Sequence, residues 1–180
     1  FAVDEKGKAY CYRSYEEPNL VVSDAAQKIK ELSLNPDGST EQIDAVIAPF
    51  DMWNRRNDTG KSAAEIFLEN GMPLLKAGKE RVQGWLNVKE YLKNGMVFFK
   101  TCTPILENLP KLQYDIRKLN DVMTEPHYIT HSPDALRYWC SVWQLGTTPV
   151  YVEPRDPFYK PERDEGFGEV TENYLIGGYG

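Results

Sequence analysis

The 180-residue chain is 41% apolar and 27% charged, with a formal net charge of −6, the balance of an ordinary globular protein rather than a disordered one. No apolar run approaches the ~18–20 residues of a membrane helix, and the Phe1–Glu5 start lacks the basic and apolar regions of a signal peptide. Three widely spaced cysteines, Cys11, Cys102 and Cys140, form no CxxC or Cys/His zinc motif, so reduced core cysteines in a cytosolic protein are expected.

The chain opens as a hairpin: Phe1–Val3, a turn over Asp4-Glu5-Lys6-Gly7-Lys8, then the tyrosine-rich Ala9–Tyr15. Ser23 is a candidate N-cap for a helix with Ala26, Ile29 and Leu32 on one face, ended by Asn35-Pro36-Asp37-Gly38. Ala45–Phe50 is a short apolar run of the kind buried on both faces of a sheet. Ser62-Ala63-Ala64-Glu65 is a capping box that starts a helix running towards Gly71, and Met72–Leu75 suits a strand. Glu80–Lys93 has helical periodicity through Val82, Trp85, Leu86 and Leu92, with Gly95 as its stop. Met96–Phe99 is another short strand. Thr103-Pro104 and Ser132-Pro133 each carry a cap followed by a first-position proline, the second opening a helix with Leu136, Tyr138, Trp139, Val142 and Trp143.

A hairpin followed by alternating helices and buried strands predicts an α/β domain over residues 1–145, with helices on the faces of a mixed sheet. Periodicity stops at Gly146, so 146–180 is expected to be an irregular, extended tail rich in Pro, Gly, Tyr and acids. Seven acids against three bases from Gly146 onward give the tail a net charge of −4 and leave −2 on the body. A near-neutral body can carry a local basic groove despite the acidic total.

Thr59-Gly60-Lys61-Ser62 is not a phosphate-binding loop. That motif needs a glycine five residues before its Gly-Lys pair, where this chain has Arg55. Asp51 is more informative, because it follows a buried strand, the place where open sheets put ligand-binding groups. Its neighbours Arg55, Arg56 and Lys61 equally suit a surface ion pair. Asp134 lies at the start of the last helix, where the helix dipole favours a carboxylate, and His131 stands three residues earlier. Two distant acids of this kind suit a hard divalent cation if the fold brings them together, as phosphodiester hydrolysis by paired ions requires.

Several stretches, in this order, resemble the nuclease domain of tailed-bacteriophage large terminase subunits. They are Ala48-Pro49-Phe50-Asp51-Met52-Trp53-Asn54-Arg55, Thr59 to Phe67, Arg81-Val82-Gln83-Gly84-Trp85, Leu109 to Asp115, Asn120-Asp121-Val122, and His131-Ser132-Pro133-Asp134-Ala135-Leu136-Arg137-Tyr138. The resemblance covers Phe1 to about Trp143. It implies an RNase H-like fold, a mixed central sheet flanked by helices, and an endonuclease that cuts concatemeric viral DNA during packaging with two Mg²⁺ or Mn²⁺ ions. Asp51 and Asp134 match the family's second and third metal-binding acids, and His131 matches a histidine near the metal in some members. Arg55, Lys61, Lys76, Lys79 and Arg81 are expected to contact DNA phosphates.

The resemblance further implies double-stranded DNA, a portal protein and a small terminase subunit as partners, and the cytoplasm of an infected or lysogenic bacterial host as the location. It departs from the family in two respects. The packaging ATPase domain is absent from this chain, and the first catalytic acid belongs to a strand preceding Phe1. Asp4, in a hairpin turn, does not replace it; Asp44 or Asp58 is the candidate if that acid lies within the chain. The alternative function is a non-catalytic RNase H-like module that binds DNA or a portal-type protein.

Overall fold

Strands β1 (Ala2–Val3) and β2 (Ala9–Cys11) pair antiparallel with Ala2 opposite Tyr10. Their turn is closed by Asp4, whose carboxylate accepts hydrogen bonds from the Lys6 and Lys8 amides and from the Tyr10 hydroxyl. Gly7 supplies the positive φ of 80° that the reversal requires. The computed structural model describes residues 1–57, 60–118 and 120–143; the tail expected over 146–180 lies outside them.

Helix α1 (Val22–Leu32) follows, capped by the backbone of Val21, so Ser23 lies inside the first turn instead of preceding it. The chain reverses just before, at Asn19 with φ 63°, and the helix begins before the serine is reached. Strand β3 (Val46–Ala48) leads through a 3-10 turn, Phe50–Trp53, to α2 (Ala63–Glu69) and then β4 (Leu74–Lys76), which pairs parallel with β3. The capping box is formed as the sequence predicts: Ser62 Oγ accepts from the Glu65 amide, and the Glu65 carboxylate accepts from the Ser62 amide.

Helix α3 (Arg81–Lys93) buries Gly84, Trp85, Val88 and Tyr91, whereas Val82, Leu86 and Leu92 are exposed. The buried stripe is rotated from the expected one because α3 packs through Gly84 against α5. Strand β5 (Val97–Phe98) pairs parallel with β2. Helix α4 (Thr103–Asn108) has Pro104 in its first turn but Cys102 at its cap. Helix α5 (His131–Val142) starts one residue before Ser132, because a 3-10 turn, His127–Ile129, runs into it through Thr130. Ser132 and Pro133 are buried in the first turn.

The result is a mixed α/β fold with two small sheets, one of order β1-β2-β5 and one pairing β3 with β4. A principal core gathers Trp85, Val88, Tyr91, Ile105, Leu136 and Trp139 with all three cysteines. A second, under α1, α2 and β3, gathers Ala26, Ala48, Phe67, Met72 and Leu74. Among the described residues both β1 and β3 are edge strands, paired on one side only. No helix among the described residues is long and apolar enough to cross a membrane.

Candidate functional site

Asp51 projects from the 3-10 turn directly after β3, and Asp134 from the first turn of α5. Helix α5 packs against β3, so the two sequence-distant elements that carry these acids are neighbours. Asp51, His131 and Asp134 all line one cleft of about 850 Å³. Residues from both edge strands, among them Val3 on β1 and Val46 on β3, line the same cleft, as do Asp44 and His127. His127 and His131 stack with ring centroids 5.8 Å apart.

Asp134 is the more constrained of the two acids. Its Oδ1 accepts from Arg137 Nε at 2.8 Å and from Arg81 Nη1 at 3.4 Å. Arg81 also reaches Asp121 Oδ1 from Nε at 3.3 Å and the Val122 carbonyl from Nη2 at 3.3 Å. Asp121 is itself buried and accepts from the Val122 amide. Asp51, by contrast, is exposed and takes part in no ion pair with a described residue.

The basic residues sort into three environments. Arg81 is committed to Asp121 and Asp134. Arg55 and Lys61 face helix α2, where Arg55 lies 4.0 Å from Glu65 and Lys61 2.6 Å from Glu69. Lys76 and Lys79 instead lie over aromatic rings that flank Asp51, Lys76 at 4.6 Å from the Trp53 centroid and Lys79 at 5.0 Å from that of Phe50. Cation–π contact orients both ammonium groups without neutralising them. Their charge is therefore available to a phosphate on the side of the domain that carries Asp51.

Two acids and an imidazole on one cleft fit a divalent cation in the kind of donor they offer. These three side chains are not gathered into a ready-made metal site, since among the described residues no group of three or more His, Cys, Asp or Glu is placed to hold a metal ion. Asp4, spent in the hairpin turn, does not extend it. Asp44 lines the cleft as an exposed acid, and Asp58 lies outside the described residues. Burial pushes the Cys11 and Cys140 thiols up to about 12, and all three cysteines are buried and free.

Arg137 and Asp121 lie in stretches that carry the terminase resemblance, but no role at the site is expected for either from the sequence. The Asp134–Arg137 spacing, three apart on a helix, was a visible signal for the first. Nothing local announces Asp121, whose partner Arg81 comes from another element. Comparison of the chain with family models, curated proteins and solved structures finds no match to any of them.

Proposed function

We propose that this chain is the nuclease domain of a phage-type large terminase, an endonuclease that hydrolyses DNA phosphodiester bonds with divalent metal ions. The observation that carries the reading is that Asp51, His131 and Asp134 all line one cleft. These are the residues that the ordered motifs pick out, and they come from two elements far apart in the chain.

In this reading Asp51 and Asp134 would hold the metal. Bound Mg²⁺ or Mn²⁺ supplies a water of lowered pKa and stabilises charge on the leaving oxygen. Asp51, exposed and in no ion pair with a described residue, offers a carboxylate that can take up a cation without first breaking a contact among them. Asp134 arrives oriented by two arginines. His131 suits the placing of a water or of an acid better than ligation of Mg²⁺. Lys76 and Lys79 would hold the DNA backbone beside Asp51. A further strand carrying a third acid, set between the free edges of β1 and β3, would join the two sheets and complete the ligand set. RNase H-like architecture is part of the same proposal.

The rival reading, a non-catalytic module that binds DNA or a portal-type protein, draws on the double arginine contact at Asp134. An acid neutralised by two guanidinium groups is a structural pair before it is a ligand. Plasmid cleavage in Mn²⁺, Mg²⁺ and EDTA separates the two, using the protein extended upstream of Phe1. Nicking that requires the metal and disappears with Asp51→Ala supports the nuclease. DNA retention without any cleavage, insensitive to EDTA, supports the module.

A further inference from the structure

We propose that Arg137 is a positioning residue for Asp134, a buried guanidinium that holds one carboxylate oxygen from inside the domain and so presents the acid to the cleft in one orientation. The inference rests on the reading of Asp134 as a metal-binding acid.

Arg137 is only 2% exposed and does not line the cleft, whereas Asp134 and Tyr138 on either side of it do. Its Nε donates to Asp134 Oδ1 at 2.8 Å. Both arginine contacts fall on Oδ1, and Oδ2 accepts no hydrogen bond from any described residue. One oxygen is thus anchored and the other is left for a ligand.

The guanidinium is a poor device for stability alone. Its Nη1 is buried with no hydrogen-bond partner among the described residues. It lies 4.2 Å from the Tyr138 ring centroid and 5.8 Å from that of Trp85, surroundings that an apolar side chain would share without leaving a donor unpaired. An apolar residue could not hold Asp134 Oδ1.

The floor of the slot is shaped to admit the arginine. A Cβ on Gly84 would meet Arg137 Cγ at 2.8 Å and Cδ at 3.2 Å, both near the stem rather than at the flexible end. Glycine costs a helix interior some stability relative to alanine, and Gly84 sits in the middle of α3 with that cost offset by the close approach of Arg137. The two residues are therefore one device: α3 gives way so that α5 can aim its acid.

The test is a measurement of Asp134 side-chain rotamers by NMR couplings, made on the wild-type chain, Arg137→Met, Arg137→Lys and Gly84→Ala, alongside Mn²⁺ titration. Wild type is expected to show one Asp134 rotamer, and Arg137→Met an average of several, with thermal stability equal to or above wild type. Mn²⁺ affinity should fall about 10–100-fold in Arg137→Met, the effect of removing a partner behind a ligand, with part of it restored in Arg137→Lys. A single, unchanged Asp134 rotamer in Arg137→Met overturns the proposal. Should that variant not fold, Gly84→Ala decides: averaging supports the proposal, and unchanged couplings overturn it. Asp134→Asn keeps an acceptor for Arg137 but removes the charge. If it binds Mn²⁺ as wild type does, or if Mn²⁺ broadens no signal at Asp51 or Asp134, the metal reading fails, while the couplings still judge Arg137.

Discussion

Arg81 Nη1 lies 3.4 Å from Asp134 Oδ1, which ties a base expected at the DNA to an acid expected at the metal. The same guanidinium closes on buried Asp121, so Arg81 links three elements of the fold before any ligand is present. Arg81→Ala should cost roughly 1–3 kcal/mol, because it strips a buried carboxylate of its charged donor. Urea unfolding measures this. A loss confined to DNA binding, with stability unchanged, would return Arg81 to the phosphate-contacting set.

Lys76 and Lys79 should behave in the opposite way. Replacing both by alanine removes two charges held over aromatic rings and leaves no buried partner behind. The slope of log affinity against log salt should flatten by about 0.9 per lost contact. Fluorescence anisotropy with duplex DNA at several salt concentrations reads it. An unchanged slope would place the DNA on another face.

On the proposed nuclease reading, Asp51→Ala and Asp134→Asn should each abolish metal-dependent nicking by the protein extended upstream of Phe1, but with different effects on the fold. Asp51 is exposed and pairs with no charged group among the described residues, so its loss should shift stability by no more than about 0.5 kcal/mol. Asp134→Ala is a harsher change, since it strands buried Arg137 without its anion, at a cost of about 3–5 kcal/mol. His131→Ala should lower the rate without ending it. Full nicking activity in Asp134→Asn would make that carboxylate structural.

The Ser62–Glu65 capping box predicts a pH dependence of sign opposite to that of a buried neutral acid. Hydrogen bonds from the Ser62 amide and hydroxyl, helped by Arg55, hold the Glu65 carboxyl below its usual range. A depressed folded-state pKa contributes stability above the unfolded value, ~4.3 for glutamate, and loses it as pH falls through the folded value. Wild type should therefore exceed Glu65→Gln in urea midpoint at neutral pH, with the gap closing as the pH falls below the ordinary glutamate range. A gap that widened in acid would mean the box is held by the protonated form.

On the proposed reading, extension upstream of Phe1 should change how the β1 and β3 edges behave. Unpaired edge strands are templates for association, and β1 and β3 both border the cleft. The longer protein is expected to bind Mn²⁺ more tightly and to associate less on gel filtration than this chain. Equal metal affinity in the two forms would assign the third acid to the chain itself, with Asp44 the first candidate.

Local signals were legible in the sequence where they were chemically complete. Ser62 and Glu65 carry both halves of a reciprocal cap, and the box forms. Ser132-Pro133 carried a plausible start for α5, yet Thr130, already drawn into the preceding 3-10 turn, begins the helix earlier. The face of α3 was misread because Leu86 and Val82 have the right period, but Gly84 takes the contact. Apolar spacing does not reveal that an arginine needs room. Strand pairing between β2 and β5 is set by residues too distant for any local pattern to show. The candidate acids were visible singly; that they share a cleft depends on the packing of α5 against β3.

The ammonium of Lys76 over the Trp53 ring gives the basic edge an optical reporter of its own. Trp53 is half-buried, whereas Trp85 and Trp139 are buried in the principal core. Soluble quenchers will therefore reach the indole at the basic edge more readily than those two. A nucleic acid that draws the lysine off the ring also changes the field along that indole, so occupancy of this edge is readable from the chain's own emission, with no dye attached.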